Sequence, residues 1–445
     1  MTPTDPPGPI GRGFRPVLAN RHFRSLWAAQ WLAQIGQNAI NFIQLILIEQ
    51  LTGSTVQIGI TILAFTLPGV LFSPLAGVVA DRVPKKWVLV ASNLSRTLVA
   101  LSYLLPLAWL QGGWRLMAIY ALTFLMSTLS QFFAPAEAAM LPLLVGEQRL
   151  LTANSLFSLT MVLSQMAGLV ILGPIFVRIM GTVGGFVAIG AMYLGATLLV
   201  ALLPTDRAAD RPPAAVTAPW RRTWEEFREG VEFIATQAAI QAAMVQLIAI
   251  NTLVMIMAML APGYAARVLG MGPENAVLVF APAGVGMLIA TAVIGRWGYL
   301  LRHVGYGNLG LMVAGLAFFQ MGGLSLDYHR FMRPILEVVP EAFLSLTSTT
   351  MGLAGVLGFC LSAANILAQT RVQQDSPAHI RGRVLSVQFM LANLVGIVPM
   401  LAFGGLADAI GIPRVLQIVG GGTILIGLLG FIFAGTWRRL IRFLR

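Results

Sequence analysis

The side chains able to do chemistry in this 445-residue chain are sparse, and most stand in or beside long apolar runs. Gln30, Gln34, Gln37, Asn41 and Gln44 recur at intervals of 4, 3, 4 and 3, which on a helix is one stripe of uncharged donors and acceptors. Lipid cannot satisfy such amides, so the stripe either lines a central substrate cavity or hydrogen-bonds neighbouring helices. Arg96 lies about 15 Å into its apolar run at 1.5 Å per residue. A cation that deep can attract an anionic group or balance an embedded acid; the other reading is that it snorkels or bonds helix-end carbonyls. Proton coupling needs a carboxylate reached by water from each side in turn. Glu137 is the first candidate, because Arg96 and Asp81 can approach it from neighbouring helices, and Glu49 and Asp81 follow. Each of the three also reads as a helix-end charge.

Further amides, Gln241, Gln246, Asn365, Gln369, Gln388 and Asn393, are candidates for the same cavity. Met244, Met255, Met257 and Met390 would give it adaptable walls or are plain core. Enzyme chemistry finds no footing. All four histidines fall at or near expected loops, and the chain has neither a Gly-x-x-x-x-Gly-Lys-[Ser/Thr] nucleotide loop nor a Gly-x-Ser-x-Gly nucleophile. No metal site and no cofactor are expected. The single cysteine, Cys360, rules out an intramolecular disulfide.

The elements that carry these groups follow from composition. Hydrophobic residues make up 57% of the chain and charged ones 10%, with a mean hydropathy of +0.80, against about 25% charged residues in a soluble domain. The expected fold is an all-α membrane protein of twelve transmembrane helices. The spans read as Ser25–Leu51, Ile58–Ala80, Trp87–Leu110, Leu116–Ala136, Ala153–Val177 and Val183–Leu203, then Ala238–Ala265, Ala276–Gly295, Val304–Leu324, Leu346–Gln369, Val384–Leu406 and Val415–Phe433. With the N-terminus inside, 22 of the 29 Lys and Arg fall in inner segments, 6 in outer ones, and Arg96 in the membrane. That bias places both termini in the cytoplasm and makes nucleic acid an unneeded partner for the net charge of +12; anionic lipid headgroups supply the counter-charge.

The chain divides into a disordered cytoplasmic tail (1–19), a six-helix half (20–203), a cytoplasmic linker (204–237), a second six-helix half (238–437) and a basic cytoplasmic tail (438–445). Within the linker, Trp220, Trp224, Phe227, Val231 and Ile234 recur at 4, 3, 4 and 3, the face of an amphipathic helix on the membrane surface, either a bar coupling the halves or an anchor. Glycine-bearing turns are expected at Gly181 and Gly411. Two six-span halves joined by a polar linker are the plan of a parallel-repeat transporter.

One charged turn, Gly77-Val-Val-Ala-Asp81-Arg82-Val-Pro84-Lys85-Lys86, carries a resemblance. With Asn20-x-x-Phe23-Arg24, Thr52-Gly53-Ser54, Pro135-Ala136, Ala153-Asn154-Ser155, Gly173-Pro174, Glu229-Gly230 and Arg381-Gly382-Arg383-Val384 it resembles the major facilitator superfamily, and within it the drug:proton antiporter branch of macrolide exporters and the enterobactin exporter. Pro84 stands where the family usually has Gly, and the fifth span spaces Gly168 one residue further from Gly173 than the antiporter pattern does. The resemblance implies a conformational latch, Gly77, Asp81, Arg82, Lys85 and Lys86 acting on the start of the eleventh helix at Ser376-Pro377, and a bend of the fifth helix at Gly173 and Pro174. It also implies proton-coupled efflux of amphipathic small molecules, macrolide-like drugs or siderophores, by a monomer in the plasma or bacterial inner membrane. The alternatives are a lipid or lysolipid transporter of the same fold and, from another class, a non-transporting receptor or scaffold.

Overall fold

The computed structural model describes residues 15–146, 149–205, 219–297, 304–327, 345–377 and 380–444. The tail up to residue 14, most of the Pro-rich linker (206–218) and the long loop 328–344 lie outside the described residues. So do the side chains of Asp81, Arg82, Trp220, Trp224 and Phe227.

Everything regular among the described residues is helical, as a chain crossing lipid requires, because a helix satisfies its own backbone groups. In chain order the helices are α1 (Arg15–Leu18), α2 (Arg21–Thr52), α3 (Thr55–Arg82), α4 (Lys85–Ser102), α5 (Leu104–Trp109), α6 (Gly112–Val145), α7 (Leu150–Gln165), α8 (Gly173–Ala201) and α9 (Pro219–Thr236). They continue as α10 (Ala238–Gly263), α11 (Ala276–Trp297), α12 (Val304–Leu326), α13 (Leu346–Asp375), α14 (Arg381–Ile410) and α15 (Ile412–Leu444).

Ten stretches among the described residues are long and apolar enough to cross a membrane. One of them, Thr152–Ala201, is 50 residues, about 75 Å at 1.5 Å per residue and far beyond a bilayer core of about 30 Å. Gly181 divides it, with φ of 68° inside an otherwise helical run. A left-handed residue there costs a glycine nothing and turns one apolar run into two spans. Helix α2 is the remaining span; its amide stripe lowers its hydropathy but not its length of 32 residues. The count is therefore the twelve expected. Gly411, at φ 91°, makes the corresponding turn between α14 and α15.

Internal packing divides the chain into two compact units, residues 1–44 with 67–214, and residues 45–66 with 215–445. In the first, α4 is central and packs against α6 and α8, with Tyr103 stacked on Phe186 at 4.3 Å between ring centroids. The chain stays helical through Gly173-Pro174, and the seven residues before it, Met166–Leu172, widen into a π-helix. In the second unit the closest helix pairs are α11 with α13 and α12 with α15, and both depend on glycine. A Cβ on Gly358 would lie 2.0 Å from the Ala283 carbonyl oxygen, and one on Gly420 would lie 2.5 Å from the Phe319 nitrogen. Removing side chains where two backbones meet lets helices associate in lipid without a hydrophobic drive.

Candidate functional site

Within the first unit, Arg96 is 2% exposed on α4, so its charge is withdrawn from water. Two rings replace the lost hydration: the guanidinium carbon lies 4.7 Å from the ring centroids of both Phe133 on α6 and Tyr193 on α8. Aromatic faces are negative, so a cation between two of them is stabilised on both sides. At its edge, Nη2 donates to Asn93 Oδ1 at 2.6 Å. Glu137 follows Phe133 by one helical turn on α6, is 6% exposed, and feels the Arg96 charge. Its Oε1 has no hydrogen-bond partner among the described residues.

A hydroxyl and amide network continues from the tyrosine. Gln37 Oε1 accepts from Tyr193 at 3.1 Å and from Ser130 at 2.6 Å, while its Nε2 donates to Asn41 at 3.1 Å. Deeper in α2, Gln44 donates to the Tyr103 hydroxyl at 2.6 Å, and Thr123 Oγ1 lies 2.9 Å from that same hydroxyl. Gln30 is buried, while Gln34 and Asn41 are half-buried. The stripe on α2 thus serves α6, α8 and the junction of α4 with α5 through Gln37 and Gln44, a use of amides that no spacing rule distinguishes from cavity lining.

The second unit places its candidate amides differently. Gln246 donates to Asn308 in a buried pair between α10 and α12. Gln388 donates to Gln369 at 2.8 Å between α14 and α13. Gln241 is exposed and donates to the Ala235 carbonyl at 2.7 Å; Asn365 is exposed and Asn393 half-buried. Glu49 is 5% exposed and lies 3.4 Å from Arg267 Nε. Arg267 also reaches Asp408 at 3.4 Å.

Of the latch residues, Lys85 and Lys86 open α4, and Ser376 is buried just past the end of α13. Within the second unit two motifs separated by some 150 residues meet: Arg383 pairs with Glu229, and Gly230 lies where a Cβ would stand 3.1 Å from the Arg383 carbonyl.

Phe133, Tyr193, Asn93 and Ser130 are absent from the sequence-based site. A signal for two of them was present, since Ser130, Phe133 and Glu137 share one face of α6 at i, i+3 and i+7. Tyr193 sits in an apolar run as an ordinary span residue, and only the demand of a buried hydroxyl for a partner marks it.

The sequence profile of the Major Facilitator Superfamily matches residues 26–398. The chain belongs to that superfamily. Among relatives, the chain is 25% identical over 442 residues to YfiS of Bacillus subtilis, an uncharacterized MFS-type transporter, with 94% of each chain covered. It is 25% identical to BacE of Bacillus amyloliquefaciens, provisionally named a bacilysin exporter, over 75% of this chain and 78% of the relative. In fold it is similar to the nucleoside transporter NupG, with a TM-score of 0.66 at 14% identity over 92% of this chain and 98% of that one. It is also similar to a POT family transporter, with a TM-score of 0.65 at 11% identity over 94% and 96%. This superfamily protein is a multi-pass membrane transporter of small molecules and not an enzyme.

Proposed function

We propose that this transporter is a proton-coupled exporter of amphipathic small molecules, with Glu137 and Arg96 as its coupling site. The observation that carries the reading is Glu137 itself, a buried acid whose Oε1 meets no donor among the described residues, one turn from the ring that covers a buried cation. An open carboxyl oxygen can take up and release a proton without first breaking a hydrogen bond. Arg96, clamped by two rings and Asn93, holds a fixed positive charge beside it. A proton entering on Glu137 changes the local charge by one, and Tyr193 and Gln37 link that change to α2 and α8. Alternating access then moves the halves 20–203 and 238–437 about a cavity near the midplane, with both termini in the cytoplasm of the producing cell.

Efflux follows the provisional naming of BacE, and the drug:proton antiporter branch follows the motif set around Gly77 to Lys86. Macrolide-like drugs, siderophores and bacilysin-like compounds are the substrates to test first. Asp81, Arg82 and the lysines would act with Ser376 as the inner latch, and Gly173-Pro174 would serve as the bend of the fifth span. Reconstitution into proteoliposomes containing a pH-sensitive dye tests the reading. Addition of a transported compound moves protons against it across the vesicle membrane; transport that proceeds at full rate with no proton movement contradicts the coupling.

A further inference from the structure

Asp408 stands in the last turn of α14, and its carboxylate serves another helix. Oδ1 accepts the Thr55 backbone N–H at 2.7 Å, while Oδ2 accepts the Ser54 hydroxyl at 2.6 Å and the Val56 N–H at 3.1 Å. These residues begin α3, whose first N–H groups have no partner inside their own helix. Ser54 is itself a residue type suited to cap α3, yet its hydroxyl donates to Asp408 and the aspartate does the capping. The cap therefore comes from more than 350 residues along the chain.

Arg267 crosses the same point. Its Nη2 donates to Thr55 Oγ1 at 2.6 Å, its Nη1 lies 3.4 Å from Asp408 Oδ1, and its Nε lies 3.4 Å from Glu49 Oε1. One arginine and one aspartate thus join the end of α2, the start of α3, the end of α14 and the π-helical turn after α10, all within the second unit. With the termini inside, these are the outer ends of spans one, two, eleven and seven.

We propose that this cluster is an outer latch, closed in the state seen here and released when the transporter opens outward. Its parts suit a contact that must break. The side chains of Arg267 and Asp408 are 33% and 26% exposed, so water can replace their mutual pairing. Glu49 is buried, and its Oε2 has no partner among the described residues, so opening must bring water to it once Arg267 leaves. The latch also gives the inner motif a counterpart. Asp408 at the end of span eleven caps the start of span two, whereas Asp81 at the end of span two is expected at the start of span eleven. The same pair of helices would carry one trans-supplied cap at each end, and the transport cycle would alternate between them.

The proposal rests on alternating access but not on the coupling ion, the substrate or the direction of transport. Because Cys360 is the single cysteine, Cys360→Ala provides a clean background for Val56→Cys with Gly405→Cys. A Cβ at position 405 lies 3.7 Å from the Val56 side chain, within reach of a disulfide. Copper-phenanthroline oxidation of native membrane vesicles is expected to crosslink this pair readily. Adding Asp408→Ala should slow the crosslinking about fivefold, the scale of losing a cap, Asp408→Glu should slow it less, and Arg267→Gln should shift it in the same direction. Crosslinking at the parental rate in both Asp408→Ala and Arg267→Gln overturns the latch. If Asp408→Ala does not reach the membrane, Arg267→Gln decides alone. No flux is measured, so a failure here is distinguishable from a failure of proton coupling.

Discussion

Arg96 is held by two aromatic faces and an amide, and that arrangement leaves Glu137 with an open oxygen. The two rings carry the cost of keeping a charge in the membrane, so the site tolerates loss of one hydroxyl better than loss of one ring. Tyr193→Phe keeps the ring and removes the hydroxyl that bonds Gln37 and Arg96, and should cost about 1 kcal/mol in thermal unfolding of the detergent-solubilised protein. Tyr193→Leu removes a desolvated cation–π face and should cost about 2 kcal/mol. Equal stability of the two variants would mean that the ring contributes nothing. Arg96 was legible from sequence because a deep charge is rare enough to stand out, and Glu137 was legible as an acid near a span end that Arg96 could approach from a neighbouring helix. Their aromatic supports were not, since a Phe or Tyr that stacks on a cation has the same type and spacing as one that faces lipid.

Helix pairs in the second unit approach through glycine, and the tolerance for added volume there is small. Gly358→Ala places a methyl against the Ala283 carbonyl and should destabilise the protein by about 1–3 kcal/mol, measurable as a lowered unfolding midpoint. Gly352 lies in the same helix with open space around its Cβ position, so Gly352→Ala should be neutral or slightly stabilising. A similar response of both positions would contradict the close approach of α11 and α13. At this scale the two glycine turns, Gly181 and Gly411, were visible as interruptions of apolar runs, and both take positive φ. The π-helical stretch Met166–Leu172 was not visible, because an extra residue per turn leaves the hydrophobic pattern almost unchanged over seven residues. The cap from Asp408 onto Thr55 and Val56 was equally hidden. Composition marks an acid at a helix end, but only folding selects which distant helix it meets.

For the whole molecule, length, hydropathy and the placement of arginine fixed the class and the twelve spans before any contact was known. The distribution of basic residues also predicts orientation. A green fluorescent protein fused after Arg445 should fluoresce, since it folds in the cytoplasm, while alkaline phosphatase at the same point should be inactive; the reverse result would invert the topology. The cargo is less legible, because an uncharged stripe such as Gln30 to Gln44 offers donors and acceptors to many molecules. Coupling is the sharper claim, and it rests on one carboxyl. With a transported compound in hand, proton flux and substrate counterflow should be measured side by side in proteoliposomes of the parent protein and of Glu137→Gln. Substrate-driven proton flux should fall at least about tenfold in Glu137→Gln while counterflow continues, because the cavity remains and only the proton carrier is gone. Proton flux at the parental rate in Glu137→Gln would contradict the account.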